Sequence, residues 1–168
     1  MELSSTRHKV LKWLNDRGIP YEYYEHPRAH SIEDCLRMPF ITENVTICRN
    51  ILLCNRQQTS FYLLLLRPLT PFRTSIVSKL LHSSRLSFAP EEALEQKLQL
   101  SSGSVSPLGL LFDPTITLCF EKEILNTPRI AFHPCDNAAT VIFTQEVFWK
   151  QVVPALGIDT IELEYVEG

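Results

Sequence analysis

The chain has 168 residues, 45% hydrophobic and 21% charged, with a formal net charge of −3 at pH 7. That suits one soluble domain, long enough to bury roughly two-thirds of its unfolded surface without disulfide or metal staples. It argues against a broad cationic face gripping long nucleic acid, and the apolar run Leu63–Leu66 falls far short of the roughly 20 residues that span a bilayer.

Val10, Leu11, Trp13 and Leu14 recur at helical spacing and are followed by Gly18, Ile19 and Pro20, the order of a helix stopped by a left-handed glycine. From Tyr21 the period changes to two, predicting a strand that ends near His26-Pro27. Ser31 and Asp34 have capping-box spacing for a short helix from Ile32 to about Arg37, closed by Pro39. Val45 to Cys54 reads as one strand, with Val45, Ile47, Arg49, Ile51 and Leu53 on one face and Thr46, Cys48, Asn50, Leu52 and Cys54 on the other. After a turn at Asn55–Gln58, Phe61–Leu66 pairs back as the next strand, and two strands so apolar on both faces imply a sheet covered on both sides.

Pro68 and Pro71 bound a loop, Ile76, Val77, Leu80 and Leu81 form a helical stripe, and Leu86–Phe88 is briefly extended. Pro90 is placed to begin a helix running through Leu94 and Leu98. Thr115–Phe120, Ile130–His133 and Thr140–Phe143 read as strands, and Thr144 caps a last helix with a Phe148, Val152, Leu156 stripe that Pro154 should kink or shorten. Ile161–Tyr165 alternates as a final half-buried strand. The sum is a mixed sheet with flanking helices.

Five cysteines, an odd number without C-x-x-C spacing, fit reduced thiols, and the first twenty residues lack the apolar core of a secretion signal. A cytoplasmic protein is the default expectation. Three pieces stand out chemically. Arg49 and Asn50 put a cation and an amide inside an apolar strand; Arg49 either snorkels to the sheet edge or holds a carbonyl, carboxylate or phosphate in a dry cleft. Gly103–Pro107 is either a surface turn or a loop with free amides that admits a ligand closely, and Gly109 allows a similar approach. His133 and Asn137 either end a strand and cap a turn or shape a pocket. His133 and Cys135 lack a second ligand pair for zinc, and pairing His133 as base with Cys48, Cys119 or Cys135 is equally unsupported.

The order His26-Pro27, His30-Ser31-Ile32-Glu33-Asp34, Cys48-Arg49-Asn50-Ile51, Arg85-Leu86-Ser87-Phe88, Gly103-Ser104-Val105-Ser106-Pro107-Leu108-Gly109 and His133-Pro134-x-x-Asn137 resembles the YbaK/ProX family of aminoacyl-tRNA deacylases over essentially the whole chain, 1–168. The resemblance implies a single α+β editing domain with a mixed, mostly antiparallel central sheet flanked by helices. It also implies hydrolysis of the ester joining a wrong amino acid to the 3′-terminal adenosine of tRNA, Ala-tRNA(Pro) above all. It assigns Arg49 and the Gly103, Ser104, Val105 and Ser106 backbone to catalysis, and His30, Asn50, Pro107, Gly109, His133 and Asn137 to substrate contact. Neither metal nor cofactor is implied, and the 2′-hydroxyl of the terminal ribose is expected to help orient the attacking water. The expected partners are the 3′ end and acceptor stem of aminoacyl-tRNA and a prolyl-tRNA synthetase, with no DNA or membrane and a monomer as the default state. Arg56, Lys79, Arg85 and Lys97 are candidate phosphate contacts.

One departure stands out: the family's pocket lysine is Arg49 here. A forked, planar guanidinium in place of a compact ammonium is not a conservative change. A catalytically weak tRNA or synthetase binder is therefore the alternative to a working hydrolase, and a small-molecule esterase is a third reading.

Overall fold

The computed structural model describes residues 2–165. Helix α1 (Glu2–Asp16) buries Val10 and Leu14 completely. Gly18, at φ +65°, lets the Ile19 amide return to the Leu14 carbonyl at 3.1 Å and so ends the helix. After β1 (Glu22–Glu25) comes α2 (Ile32–Leu36), whose cap Ser31 accepts from the Asp34 amide at 3.1 Å. The reciprocal arm is displaced by one residue. The Asp34 carboxylate takes the His30 amide at 2.9 Å instead of that of Ser31.

The expected Val45–Cys54 strand is two strands. β2 (Val45–Ile47) and β3 (Arg49–Cys54) belong to different sheets, and Cys48 joins them while donating its amide to Ala131 at 3.3 Å. The packing explains the break. Val45 and Ile47 pack with Ala131 and Ile142, whereas Ile51 and Leu53 pack with Leu64 and Leu66, so each half follows its own core.

The chain continues through β4 (Phe61–Leu66), α3 (Thr74–Leu80), β5 (Ser87–Phe88) and α4 (Glu91–Leu98), for which Pro90 is the cap and not the first helical residue. Two 3₁₀ turns, Ser102–Ser104 and Pro107–Leu111, precede β6 (Thr117–Glu121), and β7 (Arg129–Phe132), β8 (Ala139–Thr144) and β9 (Thr160–Leu163) complete the sheets. Their orders are β1-β8-β7-β2 and β5-β3-β4-β6-β9. Four of the seven pairings are antiparallel, which makes this the mixed, mostly antiparallel α+β fold with flanking helices. The last helical segment absorbs Pro154 through a π turn at Phe148–Val152: the Val153 amide reaches the Phe148 carbonyl, and Pro154 opens a final α turn. Among the described residues no helix is long and apolar enough to cross a membrane.

At the end of β6 the completely buried Glu121 fastens the loop after β4. It accepts from the Arg67 amide at 2.9 Å, from the Arg67 guanidinium at 2.7 and 3.0 Å, and from the Thr70 hydroxyl at 2.9 Å. Every bond depends on an acceptor, so a donor there leaves buried groups unpaired. Glu121→Gln is expected to lower the unfolding free energy by about 1–3 kcal/mol, read from urea denaturation.

Candidate functional site

A cleft of about 530 Å³ opens where the two sheets part, bordered by the β2–β3 junction, the segment from Ala29 to Glu33, the loop Pro68–Pro71, Gly103, Val105 and the end of β7. Its size lies within the range of about 300–1,000 Å³ usual for small-ligand sites. Arg49, Asn50, His30, Gly103, Val105 and His133 all line it, so residues 30 to 133 in sequence meet in one hollow.

Arg49 sits at the first position of β3, half-buried. Its guanidinium donates to the Thr70 carbonyl at 3.5 Å and lies 5.9 Å from the Phe72 ring, with no carboxylate partner among the described ion pairs. A permanent cation with donors to spare therefore faces the cleft, whose lining also includes the exposed Glu33. The neighbouring Asn50 turns its amide nitrogen back to the Cys48 carbonyl at 3.1 Å and leaves its buried oxygen without a partner. An orphaned acceptor in a cleft wall is a vacancy for a ligand donor.

His133 is better defined than its sequence context implied. Its Nδ1 faces the Ala139 carbonyl at 2.7 Å and must carry the proton, so Nε2 is the acceptor, and it lies 3.5 Å from the Cys35 sulfur. Burial pushes the imidazole below its ordinary range, outweighing the Ala139 bond that would raise it. Burial, with the nearby Asp34 charge, pushes the Cys35 thiol up to about 11. The pair is a neutral S–H···N contact, not a thiolate and imidazolium, and offers no nucleophile.

The remaining site residues separate by role. Gly103 and Val105 reach the cleft, but Ser104, Ser106, Pro107 and Gly109 are not among its lining residues. The Ser104 amide is consumed by the Ser101 carbonyl at 2.9 Å, and the Ser106 hydroxyl caps the next 3₁₀ turn through the Leu108 amide. Gly109 is small for packing: a Cβ there would lie 3.2 Å from Leu98 and Leu100 carbons. Asn137 stands behind the site. It donates to the Ala29 carbonyl at 3.0 Å and accepts from Arg28 at 2.7 Å, so it holds the segment that carries His30. Arg56, Lys79, Arg85 and Lys97 all lie outside the cleft, and Lys97 pairs with Asp113.

Four residues have no role in the sequence analysis. Cys35 is one of five buried cysteines, and α2 brings it to His133. Thr70 and Glu121 form the loop anchor, and Asp136, nearly wholly buried, pins the 133–137 turn to Arg7 and Arg28. Only Asp136 had a local signal, its place in a turn whose Cys135 has φ +60°.

Residues 26–150 match the family described as the aminoacyl-tRNA editing domain. A prolyl-tRNA editing protein ProX from Acetoanaerobium sticklandii is 32% identical over 146 residues, covering 85% of this chain and 88% of that protein. This chain belongs to the aminoacyl-tRNA editing domain family, in its YbaK/ProX branch. A mouse protein named prolyl-tRNA synthetase associated domain-containing protein 1 is 28% identical over 96% of this chain and 98% of its own length. The fold is shared with the crystal structure of a candidate trans-editing enzyme for prolyl tRNA synthetase, at a TM-score of 0.74 and 16% identity over 96% of this chain and 98% of that one. At the level of the family, the activity is hydrolytic trans-editing of aminoacyl-tRNA.

The two glycines should separate on substitution. Gly103 has ordinary backbone geometry, and a Cβ there would meet only the Asn137 amide nitrogen at 3.5 Å, so Gly103→Ala should shift stability by no more than about 0.5 kcal/mol. Gly109→Ala should cost about 1–3 kcal/mol by overpacking; equal thermal denaturation midpoints for the two variants would contradict these placements. His133 adds a pH signature. Its folded pKa lies below the ordinary value of about 6.5, so the unfolded chain binds a proton first as the pH falls. Its contribution is whole above about pH 6.5 and is lost as the pH drops from there toward the lowered folded value. Urea midpoints at about pH 7.5 and pH 5.5 should differ less in His133→Asn than in the wild type.

Proposed function

We propose that this chain is a trans-editing hydrolase that cleaves the ester of mischarged aminoacyl-tRNA, with Ala-tRNA(Pro) as its first substrate. The observation that carries the proposal is the convergence of Arg49, Asn50 with its unpartnered oxygen, Gly103 and Val105 on one cleft that also holds a neutral His133. An aminoacyl ester is already activated, so aligning one water and stabilising the developing oxyanion suffices. Arg49 supplies positive charge to the carbonyl or 3′ end, and backbone amides of the Gly103 segment support the oxyanion. The Asn50 oxygen accepts from the substrate ammonium or a ribose hydroxyl, while the ribose 2′-hydroxyl helps orient the water. Cys35, Ile47 and Phe132 give the cleft an apolar side suited to a small side chain, and the uncharged His133 offers no partner to an acidic one. The domain is taken as the whole chain, acting as a monomer in the cytoplasm on the acceptor end of tRNA, with a prolyl-tRNA synthetase as its companion.

A second reading rests on one observation: where the family has lysine, the guanidinium of Arg49 is engaged by Thr70 and Phe72. In that reading the chain binds tRNA or a synthetase without turnover. Purified protein with alanyl-, cysteinyl- and seryl-tRNA in separate reactions decides between them. The hydrolase predicts deacylation of alanyl-tRNA above the uncatalysed rate, and a loss of about 10²-fold or more in kcat for Arg49→Ala, the scale of one lost oxyanion donor. Silence of the wild type together with activity in Arg49→Lys would establish the non-catalytic binder.

A further inference from the structure

Arg49 is the inner end of an aromatic path that leaves the cleft. Its guanidinium lies 5.9 Å from the Phe72 ring, and Phe72 meets Phe88 edge-on at 5.5 Å. The strand register explains the alignment. Leu53 is paired with Phe88 across β3 and β5, and Arg49 lies four residues before Leu53, so Arg49, Ile51, Leu53 and Phe88 share one face of the sheet. Phe72, two residues before α3, packs against that same face. From Arg49 to Leu53 the strand covers about 13 Å at ~3.3 Å per residue. Phe88 ends this path on a two-residue edge strand and is 60% exposed.

A single exposed phenylalanine is ordinary on a protein surface. This one is continuous with the site cation through another aromatic ring, and the exposed residues just before it in sequence are polar. Ser87 beside it and Arg85 just before it are both exposed. A docking protein would need a wider apolar patch, whereas one exposed ring near cations suits an unpaired nucleobase, whose flat face stacks and whose phosphate is anionic. We propose that Phe88 and Phe72 form a stacking track for the unpaired nucleotides that precede the aminoacylated adenosine, guiding the single-stranded end of the RNA past Arg49 into the cleft. This rests on the editing function proposed above and locates the part of the substrate that lies outside the cleft. Arg85, remote from the cleft itself, is placed to meet a phosphate of this stretch.

The test compares a substrate that has those nucleotides with one that lacks them. For Phe88→Ala, the ratio of kcat/KM on alanyl-tRNA to that on 3′-alanyl-adenosine should fall about tenfold or more, chiefly through KM on the tRNA, and Phe88→Tyr, which keeps a ring face, should restore it. Equal losses on both substrates, or no loss on tRNA, would overturn the stacking track while leaving the editing function standing. Binding of the uncharged trinucleotide CCA, followed by NMR shift perturbation, supplies an arm independent of turnover. Weaker binding to Phe88→Ala supports the track even if the wild type deacylates nothing, an outcome that overturns the editing function alone; unaltered binding overturns the track. Phe88 is exposed, so a matching thermal midpoint is expected for Phe88→Ala.

Discussion

The site depends on one backbone event, the passage of a single extended segment from one sheet into the other at Cys48. Its amide still bonds to Ala131 in the first sheet, and the next residue already pairs with Leu66 in the second. The cleft opens at this junction, with Ile47, Cys48, Arg49 and Asn50 all in its lining. Arg49 and Asn50 occupy the first two positions after the crossing, so a cation and an amide stand at the mouth of that space and not inside either core.

The loops around the opening are held by buried polar groups, and the division of labour is plain. Glu121 fixes the loop that carries Thr70, and the Thr70 carbonyl meets Arg49. Asp136 and Asn137 fix the segment that carries His30. None of these carboxylate and amide groups is left to a ligand, and this is what keeps the opening rigid: a buried polar group with every partner in place specifies one arrangement of the chain around it. Among the described residues the Asn50 oxygen, the Ser104 hydroxyl and one Glu123 carboxylate oxygen are buried without a partner, and of these three residues only Asn50 lines the cleft, next to the Arg49 donors.

The thiols and the histidine define the chemistry by being uncharged. Burial pushes the Cys35 and Cys48 thiols of the cleft upward and His133 below its ordinary range, so neither thiol competes there as a nucleophile beside the Arg49 guanidinium. Where water is partly excluded, a lone guanidinium acts on a developing negative charge with little screening. This suits hydrolysis that relies on positioning and charge, and does not suit covalent catalysis.

Most of the elements were legible in the sequence because they are local. The short apolar run Phe61–Leu66, the glycine stop at Gly18 and the Ser31 cap are each set by residues close in sequence, and each appears in the fold. The family was legible for a related reason: its motifs keep their order along the chain whatever the spatial arrangement. Long-range pairing decided the rest. Alternation could not tell that Val45–Ile47 and Arg49–Cys54 would find partners in different sheets, since side-chain period is the same in both. Nor could it tell that Gly109 would press against Leu98 while Gly103 opened to the cleft, or that Cys35 among five thiols would meet His133 from 98 residues away. Such contacts depend on which surfaces meet after the chain collapses, and that information is spread over the whole core and not carried by the residues that touch.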